Sequence, residues 1–300
     1  MGNVASVEVL WESFGTSVTP SVGDLISAAV YDDYYIVFST AEDFREGNAV
    51  IAAKDASGTI LWSWHIWLTD EPEEQVYYNG AGTMMDRNLG ATSATPGDVG
   101  ALGLLYQWGR KDPFLGSSTI SSSTVAKSTG SWPSAVSSSS SRGTIEYAVK
   151  NPMTFITRNS SNYDWYYTGS SSTDNTLWES EKTIYDPCPA GWRVPDGGDY
   201  GVWSRALGSS SYYFDTYDSS REGINFSGKF GSASTIWYPA SGYRNFSDGS
   251  LSNVGSLGAC WSCAPDSYKA FGLYFGNNGG VDPLRNYYRA FGRSVRCLQE

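Results

Sequence analysis

Two cysteines have the spacing that redox or zinc chemistry would use. Cys260 and Cys263 stand at the ends of the tetrapeptide CWSC. A redox dithiol sits at a helix N-terminus, which lowers the thiol pKa, whereas this pair follows a Gly/Ser-rich loop in a strand-like stretch. Zinc would need two further ligands, and the chain has only one histidine. The pattern therefore favours exposed thiols or a local contact on a binding surface, and no metal or cofactor is predicted.

His65 is the only histidine, so a histidine base would have to be this residue. It lies within residues 60–67, where tryptophans and aliphatic residues occupy both faces, a pattern typical of a fully buried strand. A hydrogen-bonded core imidazole is therefore the favoured interpretation. The sequence also lacks the Gly-x-Ser-x-Gly turn of serine hydrolases, and we predict that the protein is not an enzyme.

The charged residues exclude several classes of partner. Acids outnumber bases 31 to 20, giving a net charge of −11, and no Lys/Arg cluster provides the basic face that nucleic acid binding needs. The same charge disfavours anionic membranes, and no apolar run is long enough to span a bilayer, so membrane attachment would use an anchor outside this chain. The acidic residues 70–74 lack the ligand pattern of a calcium loop, and a solvated loop is expected.

Two further cysteines, Cys188 and Cys297, lie beside strand-like or turn-like sequence and are candidates for a disulfide. They are 109 positions apart. Closing a loop of that length would remove unfolded-state entropy worth about 4–5 kcal/mol in the chain-entropy model. Four cysteines allow three pairings, so the pairing stays open at this point.

Aromatic residues are the most informative part of the composition. The chain has 12 Trp, 21 Tyr and 12 Phe beside 33 Gly, which is more rings than a core alone would absorb. Tyr and Trp offer large, rigid contact areas with a polar tip, as on recognition surfaces. Residues 242–291 combine such rings with Gly and Asn and are predicted to form the binding face.

Strict alternation along residues 270–275 divides this strand into two sets. The residues predicted to face the core are Phe271, Leu273 and Phe275. The residues predicted to lie on the open face are Ala270, Gly272 and Tyr274.

The chain is predicted to consist of two parts. Residues 1–54 would form a small β segment, the remnant of an Ig-like module, and residues 55–300 the main domain. Ser-rich insertions near residues 117–144 and 159–175 interrupt that domain as solvated excursions.

Apolar spacing at i, i+3 and i+4 predicts two helices. The first covers residues 102–110. The second covers residues 199–207, with Asp196 or Asp199 as its N-cap and Gly208 at its end.

Four segments, in this order, resemble the Fibrobacter succinogenes major paralogous domain of Bacteroidetes surface and fimbria-associated proteins. They are MDRNLGA at 85–91, GLLYQWGRKDPF at 103–114, DPCPAGWRVP at 186–195 and GRSVRC at 292–297. The resemblance covers about residues 60–300 and implies a C-type-lectin-like fold, related in architecture to formylglycine-generating enzyme. We therefore predict an α+β mixed fold with two helices and short strands, with Trp192 and Arg296 in its scaffold. The calcium motifs of sugar-binding lectins are absent, so calcium-dependent carbohydrate binding is not implied.

The C-terminal stretch is also similar to the variable proteins of Bacteroidetes diversity-generating retroelements, in which Asn codons are rewritten on a fixed scaffold. Such rewriting cannot produce Trp, Lys, Met, Gln or Glu, and between residues 257 and 291 only Trp261 and Lys269 belong to that group. Trp261 matches a scaffold position of the family, and Lys269 departs from the pattern. The positions that the resemblance marks as diversified and ligand-binding are Ala259, Cys260, Cys263, Ala264, Asp266, Ser267, Tyr268, Gly272, Tyr274, Tyr287, Tyr288 and Phe291.

The predicted function is non-enzymatic, receptor-like or adhesin-like binding through a diversified face at about residues 257–291. The expected ligand is a protein or glycan on another cell or on a phage host, and the chain is expected to be monomeric. Its expected location is extracellular or at the cell surface, with a phage particle as the other location. Residues 1–3 do not begin a signal peptide, as expected of a mature chain. Two alternatives stay open, a structural fimbrial or tip subunit and a formylglycine-generating-type enzyme.

Overall fold

Short antiparallel strands provide most of the regular structure in the computed structural model, which describes residues 3–160 and 163–300. The longer strands carry the β-branched and aromatic residues that fit a pleated, half-buried surface. The strands are β1 (Ser6–Ser13), β2 (Ile26–Asp32), β3 (Tyr35–Thr40), β4 (Gly47–Lys54), β5 (Ile60–Leu68), β6 (Glu74–Tyr77), β7 (Gly82–Met85), β8 (Tyr106–Gln107), β9 (Val136–Ser137), β10 (Ile156–Thr157), β11 (Trp192–Arg193), β12 (Tyr213–Phe214), β13 (Tyr217–Asp218), β14 (Gly223–Asn225), β15 (Trp237–Pro239), β16 (Tyr243–Arg244), β17 (Leu251–Ser252), β18 (Leu257–Asp266), β19 (Lys269–Gly276), β20 (Gly280–Tyr288), β21 (Gly292–Arg293) and β22 (Leu298–Gln299). The helices are α1 (Ile145–Lys150) and α2 (Val202–Leu207), and two 3₁₀ turns lie at Tyr78–Gly80 and Val99–Ala101.

The predicted α+β class is wrong. Strands make up 36% of the chain, and the two six-residue helices are the only α-helices within the described ranges. The strands pair into small sheets of two to four members, almost all antiparallel. This arrangement does not clearly correspond to the C-type-lectin-like fold that the resemblance implied.

The helix predicted for residues 102–110 is also wrong. Gly103 and Gly109 have φ values of 70° and 82°, in the left-handed region, and so interrupt any helix between them. A Cβ on Gly103 would lie 2.9 Å from the backbone oxygen of Leu89, so the close approach requires glycine. The stretch instead contains β8, and its apolar residues are buried on several sides. The spacing of apolar residues matched that of a helix because nearly every side chain of this extended segment is buried in the core.

The second predicted helix exists in shortened form as α2. Its N-cap is Gly201, and neither Asp196 nor Asp199 caps it, since Asp196 pairs with Arg193 instead. Gly208 ends the helix with φ of 67°, as predicted. Helix α1 was not predicted. It begins after Thr144, whose side chain accepts a hydrogen bond from the Tyr147 amide.

The N-terminal part is a three-stranded sheet in the order β1-β4-β5, with the hairpin β2–β3 beside it. Strand β5 pairs with β4 along its length, so the predicted boundary between residues 54 and 55 falls inside a hairpin. Strand β5 lies at the edge of its sheet and is half-buried, whereas a fully buried strand was expected. The sheet is joined to the rest of the chain by hydrogen bonds such as that from the Ser63 hydroxyl to the Asp112 carboxylate, 2.6 Å long.

Buried tryptophans form the centre of the larger part. Trp108, Trp165 and Trp261 are fully buried in one cluster, and each indole N–H donates to a backbone oxygen. Trp108 donates to Ser262 at 2.9 Å, Trp261 to Tyr106 at 2.9 Å, and Trp165 to Trp108 at 2.7 Å. Because a buried indole N–H needs a partner, these bonds determine how the loops and β18 lie against each other.

Cys188 and Cys297 form a disulfide, with their Cα atoms 5.9 Å apart, which confirms the predicted pairing. Cys297 precedes β22, which pairs with both β7 and β11. The disulfide therefore links the C-terminal strand to the segment before β11, and Trp192 of β11 lies half-buried on the same core.

Candidate binding surface

The C-terminal sheet, in the order β12-β20-β19-β18, supports the candidate surface. Its register shifts twice, between Trp261 and Pro265 in β18 and between Gly272 and Tyr274 in β19. Ala270 is fully buried and Phe271 is half-buried, the reverse of what was expected for these two residues. Side chains still alternate along β19, but both faces are covered, since Ala270 packs in the cluster of Trp108 and Trp261 whereas Leu273 and Phe275 pack in a separate cluster.

For the remaining residues of β19, part of the prediction is confirmed and part is wrong. Leu273 and Phe275 are fully buried, as predicted, and Tyr274 is half-exposed. Gly272 was expected on the open face but is buried, because β18 passes directly over it. A Cβ at this position would lie 2.1 Å from the backbone oxygen of Cys260, so only glycine fits there.

Six half-buried or exposed rings lie around the buried ring of Phe291, and we call them together the aromatic face. Its members are Tyr163, Phe246, Tyr268, Tyr274, Tyr287 and Tyr288.

Tyr288 lies at the centre of the aromatic face. Its ring stacks on Tyr163 with centroids 4.1 Å apart, and it also contacts Phe246 at 5.5 Å and Tyr268 at 5.9 Å. Tyr274 and Tyr287 form a second pair, with centroids 6.1 Å apart, and Tyr287 meets the buried ring of Phe291 at 6.1 Å. Offset-stacked and edge-on pairs at these distances restrain each ring, so the surface is organised before any ligand arrives.

Cationic side chains surround these rings. The Arg158 guanidinium lies 4.7 Å from the centroid of Tyr163, and the Lys269 ammonium lies 5.3 Å from that of Tyr288. Arg285 is exposed and lies 5.7 Å from Tyr287. These distances allow cation–π attraction, which holds both the cation and the ring in place.

Buried side chains support the aromatic face from below. The guanidinium of Arg293 is fully buried and lies 3.4 Å from the Tyr287 centroid, 4.9 Å from that of Phe291 and 5.4 Å from that of Trp261. Burial lowers its pKa, while the nearby tyrosines act in the opposite direction. Arg293 therefore keeps a cation in the core by contact with ring faces, and those contacts set the position of Tyr287.

Asp164 is a buried acid next to Tyr163 on the chain. Its Oδ2 lies 3.7 Å from Nη1 of the equally buried Arg289. Burial raises the pKa of Asp164 to about 7, although the Arg289 charge opposes that rise. Arg289 in turn donates through Nε to the Lys269 backbone oxygen at 2.9 Å and stacks on Trp108 at 4.1 Å. The pair thus connects the segment carrying Tyr163 to the sheet carrying Tyr288.

The positions predicted to bind ligand separate into two groups. The residues that reach the surface, half-buried or exposed, are Ala264, Asp266, Ser267, Tyr268, Tyr274, Tyr287 and Tyr288. The residues that are buried, against prediction, are Ala259, Cys260, Cys263, Gly272 and Phe291. Cys263 and Phe291 pack in the cluster of buried tryptophans, Cys260 packs in the second core cluster, and the Cys260 backbone lies against Gly272.

Cys260 and Cys263 were expected as exposed thiols or surface contacts, and the structure corrects this. Both are buried, and burial raises the pKa of each thiol to about 12. The Cys260 Sγ lies 3.8 Å from Oδ1 of Asn88, and the Cys263 Sγ lies 3.8 Å from Oδ1 of Asp196. Burial therefore favours the neutral thiol form of both cysteines, which is the less reactive one.

Three other residues singled out from the sequence are placed as follows, and His65 is half-buried in an edge strand, not fully buried as predicted. His65 is hydrogen-bonded, with Nε2 2.9 Å from Asn48 Oδ1, and burial lowers its pKa to about 4. Arg296 is fully buried, donates to the Trp237 backbone oxygen at 2.6 Å and lies 3.6 Å from the Tyr238 ring centroid. Trp261 is fully buried as well. These contacts place Arg296 and Trp261 in the scaffold and not on a ligand surface.

Two members of the site, Arg158 and Tyr163, lie outside the predicted binding face, whereas Phe246 lies within its bounds of 242–291 but was not singled out. Tyr163 lies in the second Ser-rich insertion, which was expected to be a solvated excursion but also carries the fully buried Trp165. Residues 161 and 162 of this insertion lie outside the described residues. The available signal was the aromatic run at residues 163–167 inside a Ser-rich tract.

Over residues 3–160 and 163–300, no group of three or more His, Cys, Asp or Glu side chains is placed to hold a metal ion. In the same part of the chain, no helix has the length and apolar character needed to cross a membrane. No protein-family model, curated protein or solved structure matches the chain, so its function is inferred from its own residues.

Proposed function

We propose that this protein is a non-enzymatic, receptor-like or adhesin-like binding protein whose ligand occupies the aromatic face. The main support for this proposal is the group of surface rings that stack around Tyr288, with cationic side chains beside them. Rings held by neighbours lose little conformational entropy on binding, and exposed Tyr side chains are typical anchors of recognition surfaces. Tyr268, with 39% of its surface exposed, is the most accessible of the candidate positions in this group.

The charge of this region indicates the chemistry of the ligand. Residues 242–299 contain six Lys or Arg and three Asp, whereas the whole chain has a net charge of −11. Of these bases, Lys269 and Arg285 reach the surface beside the rings. We infer a protein or glycan ligand that places flat apolar groups on the rings and anionic groups beside the cations.

The ligand is expected on another cell or on a phage host, with this protein secreted, displayed at a cell surface or carried on a phage particle. The disulfide between Cys188 and Cys297 supports such a location, because disulfides persist in oxidising compartments.

The proposal extends to diversification of the surface-reaching positions, from Ala264 to Tyr288. A near-copy of the codons for residues 242–296, differing only at adenines and next to a reverse transcriptase gene, would support it. Changes in such a copy should then concentrate at the surface-reaching residues and spare Gly272, whose backbone contact excludes any side chain.

Of the two alternatives, the formylglycine-generating-type enzyme has the weaker support, because both free thiols are buried with pKa values of about 12. Incubating the purified chain with copper and a cysteine peptide tests it, and formation of formylglycine would overturn the non-enzymatic proposal. The structural-subunit alternative predicts self-association through the aromatic face. A size-exclusion profile that shows a monomer would oppose it.

The binding proposal is tested with labelled full-length chain on an array of glycans and extracellular protein domains. A double variant, Tyr163→Ala with Tyr288→Ala, removes the central stack. The matched control is Tyr200→Ala, because Tyr200 is 86% exposed and lies outside the aromatic face. We expect ligands bound by the natural chain and the control to be bound at least about tenfold more weakly by the double variant. Equal binding by all three proteins would contradict the proposal.

A further inference from the structure

The N-terminal hairpin β2–β3 exposes a second, separate set of apolar side chains. Tyr34 and Tyr35 at its tip are 88% and 71% exposed, and Val30, Val37 and Phe38 are also exposed. Val30 lies opposite Val37 and forms an apolar pair on one face of the hairpin, whereas Tyr31 and Phe38 lie on the other face, which lines a cleft. Exposed apolar residues that cluster in this way mark interaction surfaces in soluble proteins.

The turn at the tip has an unfavourable backbone for the residues it contains. Asp33 and Tyr34 have φ values of 42° and 71°, as in a two-residue hairpin turn that normally uses Asn or Asp followed by Gly. A bulky aromatic residue in this region is strained. Among the described residues, no other ring stacks on Tyr34. A strained, unsupported ring at the outermost point of the fold is better explained by contact with a partner than by stability.

A cleft of about 380 Å³ separates the hairpin from the sheet beside it. Its walls are apolar, with Tyr31 and Phe38 on the hairpin side and Ile51, Trp64 and Ile66 on the sheet side. Strands β2 and β3 pair only with each other within the described part of the chain, so each has an unpaired edge. A cleft of this kind accepts an extended segment, because main-chain bonds to the edge and alternate side chains in the cleft form together.

The charge around the hairpin selects the partner. Residues 1–54 contain eight Asp or Glu and two Lys or Arg. Four of the acids, namely Asp32, Asp33, Glu42 and Asp43, are exposed on or next to the hairpin. The nearby Arg45 already pairs with Asp24 at 3.4 Å. Two copies of so acidic a surface repel each other, whereas a basic segment is attracted.

We propose that the hairpin and its cleft bind an extended, basic segment of another protein, in which apolar residues alternate with Lys or Arg. The apolar side chains enter the cleft and extend over the tip, and the basic ones face the acids. This site is separate from the aromatic face, and neither proposal depends on the other.

The test uses the full chain and three labelled nine-residue peptides, with binding followed by fluorescence anisotropy. The first peptide alternates Val or Phe with Lys, the second has Glu at each Lys position, and the third has the first composition in block order. We expect the alternating Lys peptide to bind at least about tenfold more tightly than either of the others. Tyr34→Gly and Phe38→Ser should each weaken it about tenfold, and Tyr200→Ala should not change it.

Tyr34→Gly should still fold, because glycine suits the turn and should leave the unfolding midpoint unchanged or higher. A loss of binding in this variant would therefore not be due to misfolding. Three results would overturn the proposal. The first is equal binding, or no binding, of the Lys and Glu peptides. The second is concentration-dependent dimerisation that Tyr34→Gly abolishes. The third is binding to phosphatidylcholine vesicles that depends on Tyr34, which would indicate a membrane surface instead of a protein.

Discussion

The two aromatic surfaces differ in how their rings are held. Tyr288 stacks on Tyr163 at 4.1 Å and lies beside Lys269, so packing determines its position. Tyr34 extends from a strained turn that exposes 88% of it. The cations Arg158, Lys269 and Arg285 lie beside rings of the aromatic face, whereas the hairpin is acidic. Exposed rings alone do not define a ligand. Contacts with neighbouring side chains decide whether a surface is preformed, and the local charge decides which ligands it attracts.

The largest expected effect concerns the disulfide, which links segments of the C-terminal part and has no counterpart in the hairpin. Replacing both Cys188 and Cys297 by Ser should lower the free energy of unfolding by about 4–5 kcal/mol, because the 109-residue separation makes the unfolded loop costly to close. Chemical denaturation monitored by tryptophan fluorescence measures this. The intact chain treated with a reductant is the control, and a loss below about 1 kcal/mol would contradict the prediction.

The next effect concerns the packing beneath the aromatic face. Arg293→Ala should cost about 3 kcal/mol, because it leaves a void among Tyr243, Tyr287, Phe291 and Trp261. Arg293→Met fills most of that volume without a buried charge and should cost less. Denaturation together with near-ultraviolet circular dichroism follows both stability and ring order. If Met were as damaging as Ala, the charge and not the packing would be what positions Tyr287.

A third effect makes the aromatic face sensitive to pH. Burial raises the pKa of Asp164 in the folded chain to about 7, above its ordinary value of 3.8, so the folded state holds a proton that the unfolded state has lost. The resulting stabilisation is complete below about pH 4 and disappears as the pH rises through 7, by about 2 kcal/mol between pH 5 and pH 8. Unfolding measured across this range should show the decrease, and Asp164→Asn should flatten it. An unchanged slope in Asp164→Asn would assign the pH dependence to another group.

The smallest effect lies at the hairpin. Tyr34→Gly relieves the strain at φ of 71° and should leave the free energy of unfolding unchanged or raise it by up to about 1 kcal/mol. Thermal unfolding of this variant beside Tyr34→Ala, which keeps the strain, provides the measurement. A loss of more than about 1 kcal/mol on going to Gly would mean that the Tyr34 ring stabilises the fold, and the comparison between the two surfaces would fail.

Local chemistry made part of the fold predictable. Gly208 ends α2 because glycine adopts the left-handed conformation freely, and His65 is hydrogen-bonded as expected in an apolar strand. The pairing of Cys188 with Cys297 agreed with their positions beside strand-like sequence.

Other predictions failed where contacts distant in sequence override a local pattern. The apolar spacing in residues 102–110 suggested a helix, but Gly103 and Gly109 adopt left-handed conformations that the surrounding core requires. Alternation misplaced Ala270 and Phe271, because different core clusters cover the two faces of β19, and one strand's sequence does not show which clusters pack against it.

The sequence alone shows that the chain is rich in aromatic residues and has a negative net charge. It also shows that the residue patterns typical of nucleic acid binding or metal binding are missing. The contacts between rings depend on the tertiary structure. Tyr163, Phe246 and Tyr288 come from separate segments of the chain, and their ring centroids lie within about 6 Å of each other. The physical reason is that composition sets what a surface can attract, whereas exposure and stacking depend on packing between residues far apart in the chain.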